Sequence, residues 1–400
     1  MERLMLSRKR PLLEVETNMA ALHRRAKMSN SQVRTGEVAG ESKPMTDSQR
    51  LCQQISSWAD PKFSLKRVVE HLKFKHASEV IDLDQSINNK YLEFHRDISE
   101  ECSPEEKQHS WAVLEKPEEV VMHGPYYPDY AEDVHSEEIV VQKTQELLQS
   151  ELVSDDWKVY IFTVNSPCLM RNTEPCMLNM VEMSQAWWRE FGVKTFIGFK
   201  RCWGFKGTKE NLFQDLSYGQ VDCVDHAGDY TSYLELAKKT NLTPICESIY
   251  AVVKNFLRPG NVIFTITKEQ DLKPHFKRMS SVYELETEMK KEVFKQEMKQ
   301  FNEAAQLLLT ERGGSFEDHL QRGRSFPLQQ HFRKASSNSS QEQVQRLFQE
   351  CWRQLVQDKY AELVREKLTE DLNRRTVQLF AEDIAELTKE YLQIGRIQFS

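Results

Sequence analysis

The sequence predicts an α/β layered body followed by a C-terminal all-helical extension. Three observations carry this. Short β-rich runs alternate with amphipathic helical segments between about residues 105 and 265, the order of a layered α/β domain. Beyond 270, apolar residues recur at three- and four-residue steps, the period of a helix. Residues 1–60 mix Arg, Lys, Ser, Glu and Gly with little periodicity, the composition of a disordered tail. The expected division is a disordered basic tail over 1–60, a body over 61–270 and a helical extension over 271–400.

The elements follow in order. RVVEHLKF (67–74) reads as a turn or two of helix. WAVLEKPEEVVMHGP (111–125) holds two β-rich runs broken at Lys116-Pro117, a strand pair. HSEEIVVQKTQELLQSEL (135–152) has helical order, with Asp133 placed as N-cap. WKVYIFTV (157–164) is a continuous β-branched and aromatic run, as a buried strand is. CMLNMVEMSQAWWREFG (176–192) is a helix stopped by Gly192, and VKTFIGFKRCWGF (193–205) is the next strand. A short helix around 210–217, a strand-like VDCV (221–224), helices at 231–239 and 245–257 and a strand VIFTI (262–266) complete the body. In the extension, Phe276 to Leu308 lie on one long amphipathic helix ending at Gly313-Gly314. A second helical stretch runs from about 341 to 394 after the polar linker KASSNSSQ (334–341).

Composition narrows the function classes. No apolar run approaches the roughly 20 residues of a membrane span. The N-terminus MERLMLSRKR lacks the apolar stretch of about 7–15 residues of a secretory signal. Its SRKR patch (7–10) resembles a nuclear import signal. The eight cysteines are scattered through 400 residues, unlike a disulfide scaffold, so close pairs read as metal ligands or buried thiols. These features set the expectation of a cytoplasmic or nuclear protein. The net charge of -7 is uneven: residues 1–50 carry +4, 51–270 carry -11 and 271–400 are neutral. An acidic body suits only local contact with phosphates.

The chemistry lies in three fragments in fixed order. His135-Ser136-Glu137 opens a helix, Ser166-Pro167-Cys168 ends a strand, and Cys176 begins the next helix. One imidazole and two thiolates are natural zinc ligands that leave a fourth tetrahedral position for water. Two thiolates also cancel the charge of a divalent ion. Zinc lowers the pKa of bound water from about 15.7 towards 7, and Glu137 is placed to take and return its proton. Although about 200° separates the directions of His135 and Glu137 on an ideal helix, both can reach a site lying off its first turn.

These residues resemble the zinc-dependent cytidine and adenosine deaminase superfamily, whose signature is H-x-E followed by P-C-x-x-C. The match is nearest to the activation-induced and APOBEC-type branch, which often shows S-P-C at the second motif. Between Glu137 and Pro167-Cys168 lie 29 residues, close to that branch's gap, and the resemblance covers about 105–265. Seven residues separate Cys168 from Cys176, more than the family usually carries, which leaves Cys202 as the alternative ligand. The resemblance implies a three-layer α-β-α body with a central mixed sheet. It also implies zinc held by His135, Cys168 and Cys176, with Glu137 as the catalytic proton shuttle. The implied activity is hydrolytic deamination of cytosine or adenine, in single-stranded or flipped nucleic acid. The rival is a catalytically inactive deaminase-like scaffold binding a protein partner through its C-terminal helices.

Substrate contacts are read from the flanks. Tyr126, Tyr127 and Tyr130 lead into the first motif, where they either border the pocket and stack on a base or serve as turn aromatics around Pro125 and Pro128. Asn165 and Ser166 precede Pro167; the resemblance places Asn165 against the base, and a turn-stabilising role is the alternative. KTFIGFKRCWGFKGTK (194–209) interleaves Lys200, Arg201, Lys206 and Lys209 with Phe199, Trp203 and Phe205, a mixture that suits single-stranded DNA or RNA. The alternative there is a core strand with solvated lysines.

Overall fold

A five-stranded mixed sheet stands at the centre of the computed structural model. Described here are residues 45–74, 81–102, 107–150, 156–171, 173–205, 213, 215–224, 230–237, 246–257, 262–266, 288–309, 312–326 and 338–399. The strands are β1 (Ser110–Glu115), β2 (Val120–Tyr126), β3 (Lys158–Asn165), β4 (Lys194–Arg201) and β5 (Leu392–Arg396), in the order β2-β1-β3-β4-β5. β1 runs antiparallel to both β2 and β3, while β3, β4 and β5 are parallel.

Alternation along the strands builds two cores. On β1, Trp111 and Val113 face one layer and Ala112 and Leu114 the other. On β3, Tyr160, Phe162 and Val164 oppose Val159 and Ile161 in the same way. This is the period-2 display of a strand buried on both faces.

The first face is covered by α3 (Gln85–Ile98) through Tyr91, Phe94 and Ile98. Tyr91 donates its hydroxyl hydrogen towards the Phe196 carbonyl at 2.7 Å, with the Ile161 carbonyl at 3.0 Å. Gly198 leaves room for that ring, since a Cβ there would lie 2.8 Å from it. On the other face lie α4 (Ser136–Ser150), α5 (Cys176–Phe191) and the 51-residue α11 (Asn338–Thr388). The result is the α-β-α layering that the sequence implies.

The remaining helices are α1 (Asp47–Ala59), α2 (Pro61–Phe74), α6 (Tyr218–Asp222), α7 (Tyr230–Ala237), α8 (Cys246–Leu257), α9 (Glu288–Leu309) and α10 (Phe316–Arg324). α11 spans about 75 Å at 1.5 Å per residue and ties several of them together. Trp58 of α1 donates to Asp383 at 2.8 Å and meets Phe380 edge-on, and Arg67 of α2 bonds the same carboxylate. Trp352 of α11 donates to the His319 carbonyl of α10 at 2.8 Å. Gly323 fits there only for want of a side chain, because a Cβ would overlap the Trp352 indole. Residues Asp47–Ser400 form one compact unit.

The structure departs from the sequence reading at four places. Residues 47–59, expected in the tail, form α1 with Leu51, Ile55 and Trp58 buried at helical spacing. VDCV is no strand: Ser217 and Gln220 form a capping box that starts α6, and this local nucleus outweighs the β-propensity of the valines. VIFTI contributes one bridge, Phe264 to Gly314, and lies outside the sheet. The C-terminal helix stops at Thr388, and Leu392–Arg396 inside the expected helical stretch becomes β5, with Leu392 and Ile394 buried. A Cβ on Gly395 would lie 2.7 Å from the Leu83 nitrogen, so this strand passes Leu83 more closely than a side chain allows. The extension is thus helical except for the strand that completes the sheet. Of the helix expected over 210–217, residues 213 and 215–217 are turn or irregular and the others, like residues 1–44, lie outside the described residues.

Candidate metal centre

Three chain segments meet where β3 and two helix N-termini converge. His135 immediately precedes α4, Cys168 follows β3, and Cys176 is the first residue of α5. Asp133, expected as the N-cap of α4, instead adopts a left-handed φ of 52° two residues upstream. The cap position belongs to His135, whose backbone N–H is held by the Glu138 carboxylate at 3.0 Å. That is the reciprocal half of a capping box, and it fixes the backbone that carries the imidazole.

The donor atoms are close. His135 Nδ1 lies 3.2 Å from Cys176 Sγ and 3.8 Å from Cys168 Sγ, and all three atoms lie within 4.8 Å of one another. A tetrahedral zinc with bonds of about 2.3 Å to sulfur and about 2.05 Å to nitrogen would separate N from S by about 3.6 Å. The observed pair brackets that value, and one neutral imidazole with two thiolates is a chemically suitable donor set. These residues fit a metal ion, and no other His, Cys, Asp or Glu group among the described residues meets the same spacing. Cys202 does not join it. It lines a cavity whose walls include none of the three donor residues, and burial pushes its thiol up to about 11.

The sulfurs sit where charge is welcome. The Cys176 backbone N–H lies 3.4 Å from Cys168 Sγ, and the α5 N-terminus favours negative charge. Hydrogen bonding from the Cys176 thiol, opposed by burial and helped by His135, lowers the Cys168 thiol well below its ordinary value. Cys176 is pushed up by the same partner and by burial. His135 is raised first by its hydrogen bond to Cys168. A divalent ion would take both sulfurs as thiolates.

Glu137 lies beside this group with 4 % of its surface exposed. Its Oε2 accepts from Ser136 Oγ at 3.0 Å, and its Oε1 accepts from Gln108 Nε2 at 3.0 Å and lies 3.2 Å from Thr163 Oγ1. Burial raises its pKa, and the charge on Cys168 adds to the effect.

Arg171, from the loop between the cysteines, clamps the site. Its side chain is 7 % exposed. It bonds the Glu138 carboxylate at 2.5 Å and the Asp133 carbonyl at 2.6 Å, and approaches Cys176 Sγ at 3.7 Å. The longer spacing between Cys168 and Cys176 thus carries a cation that ties the second cysteine to the His135 cap. Changing Arg171 to Met is expected to weaken zinc affinity about 10–100-fold, the usual cost of losing a group that orients ligands. Competition against a chromophoric chelator measures this.

The flanking residues divide. Ser166 Oγ accepts the Trp203 N–H at 2.8 Å, bolting the β3 loop to the β4 loop. Asn165, Lys200, Arg201, Cys202 and Trp203 line a cavity of about 800 Å³ with Arg396 of β5 and the α11 residues Glu362 to Arg374. Five basic and three acidic side chains surround it. Phe199 and Phe205 are core residues, so the aromatic share of that segment reduces to Trp203 at the cavity. Lys206 and Lys209 lie outside the described residues. Tyr126 bonds His123 at 3.2 Å, Tyr127 packs on His109 and Lys107, and Tyr130 is 77 % exposed. Sequence reasoning missed Gln108, Arg171 and α11 as a cavity wall; none belongs to a motif.

A family model described as Secreted Novel AID/APOBEC-like Deaminase 3 matches residues 23–394. No curated protein and no solved structure matches the chain. The family description points to a secreted protein and overturns the cytoplasmic or nuclear localisation expected from the sequence. That expectation rests on ten N-terminal residues and on scattered cysteines, and neither reports where a folded chain is delivered. No disulfide occurs among the described cysteines, and no described helix is long and apolar enough to cross a membrane.

Proposed function

The chain belongs to the AID/APOBEC-like deaminase family, and from that premise we propose that it is a zinc-dependent hydrolytic deaminase of cytosine or adenine bases. The observation that carries this is the convergence of His135, Cys168 and Cys176 with a buried carboxylate, Glu137, two residues along the chain from His135.

His135 Nδ1 and the two sulfurs would hold a zinc ion. Zinc supplies the Lewis acidity that makes water nucleophilic near neutral pH. Glu137 takes a proton from the attacking water and delivers one to the departing amino group, so that ammonia leaves and a carbonyl remains on the base. Burial supports this role, since a raised carboxyl pKa lets one group serve as base and then as acid. Asn165 and Trp203, both on the cavity wall, meet the base and its neighbour. The excess of basic over acidic groups around that cavity favours a phosphate-bearing strand over a free base.

The rival scaffold reading draws on α11 as a docking helix, but most of its apolar residues from Val344 to Ile384 are buried inside the unit, with Leu347 and Leu363 half-buried. Ammonia release from single-stranded DNA, RNA and nucleosides, with metal content measured on the same preparation, tests the proposal. Release from cytosine or adenine substrates is expected. Protein holding one zinc that releases none from any substrate would favour the scaffold.

A further inference from the structure

Among the described residues, a side-chain amide from a loop residue in no motif touches the proposed proton shuttle. Gln108 lies just before β1 and reaches across the end of the sheet. Its Nε2 donates to Glu137 Oε1 at 3.0 Å and to Thr163 Oγ1 at 3.0 Å. Its Oε1 accepts from the Asn165 backbone N–H at 3.0 Å and from Asn165 Nδ2 at 2.8 Å. The orientation of the amide is fixed by chemistry, because a backbone N–H can only donate.

Both groups proposed to meet the base are therefore already engaged. The amide offers a donor to Glu137 and an acceptor to Asn165. Cytosine presents the same pair through its 4-amino group and N3, and adenine through its 6-amino group and N1. Uracil presents the reverse. Asn165 also lines the 800 Å³ cavity, so a base entering from there meets the amide's own partner first. A carboxylate 4 % exposed and bonded on both oxygens has no free position for a further donor on the Gln108 side.

We propose that the Gln108 carboxamide occupies the subsite for the amino-bearing edge of the base, and that substrate binds by displacing it. The inference rests on the deaminase reading for the identity of the ligand, though not on turnover. Gln108 is then an internal competitor that lowers apparent affinity by the fraction of molecules in which it is seated. It selects as well, since only a ligand with the same donor–acceptor edge recovers the bonds that are lost.

Calorimetric binding of cytidine, adenosine and uridine to the full chain and to Gln108→Ala and Gln108→Asn tests this, with zinc content and melting temperature showing that each variant folds. Asn keeps the amide but withdraws it by one methylene. Both variants are expected to bind cytidine or adenosine about tenfold more tightly, which is about 1.4 kcal/mol, with no gain for uridine. Equal affinities, a gain shared by uridine, or no binding by any form would overturn the proposal.

Ammonia release measured in parallel separates the two readings. If the unaltered chain deaminates and the variants lose kcat without a fall in KM, Gln108 positions Glu137 rather than standing in for substrate; the subsite proposal fails while the deaminase reading holds. If no form deaminates yet the variants bind the amino-bearing nucleosides more tightly, the subsite stands and the activity does not.

Discussion

Replacing Glu137 with Gln is expected to lower the rate of ammonia release about 10²–10⁴-fold, the usual contribution of a general acid–base group, while the metal content stays unchanged. The side chain keeps its shape and its partners, Ser136, Gln108 and Thr163, all of which can bond an amide. What it loses is the ability to take and return a proton. Because the three donor atoms come from His135, Cys168 and Cys176, zinc should remain. Turnover and bound zinc measured on one sample check both halves. A loss of less than tenfold would remove Glu137 from the proton path, and loss of zinc would show that it supports the ligands as well.

Removal of the metal is the second large effect. His135 and the two cysteines lie at a helix cap, after a strand end and at a helix start, so the ion would crosslink three elements. At free zinc about 1,000 times its dissociation constant, such a ligand adds about 4 kcal/mol to stability. Chelation should therefore lower the melting temperature by on the order of 5 °C or more, and added zinc should restore it. Cys176→Ser should reproduce the loss and make the protein insensitive to chelator. The variant leaves Arg171 beside a hydroxyl in place of a thiolate, so zinc cannot rescue it. An unaltered protein whose melting ignores chelator would contradict a built site.

The strands and helices nearest the centre were legible because their signals are local. WAVLE and KVYIFTVN alternate or run apolar over a strand's length, and CMLNMVEMSQAWWREF ends at Gly192, which adopts φ 69° as a helix stop. The grouping of His135, Cys168 and Cys176 was legible through residue type, order and the family resemblance. β5 was not, because Leu392 and Ile394 follow 51 helical residues and only the approach of Gly395 to Leu83 reveals a strand. α1 was hidden by the polar residues between Leu51, Ile55 and Trp58. Gln108 and Arg171 act through distance in space: Gln108 is 29 residues from Glu137 and 57 from Asn165, and a lone glutamine carries no period or motif. The cavity wall from α11 has the same cause, since Phe205 N–H meets Asn373 across 168 residues.

X-ray absorption at the zinc edge, with the metal quantified per chain, reads the central geometry most directly. One zinc per chain is expected, with one nitrogen at about 2.0–2.1 Å and two sulfurs at about 2.3 Å, and with no zinc bound in Cys176→Ser. A protein that binds no zinc, or binds it with no sulfur neighbours, would contradict the account.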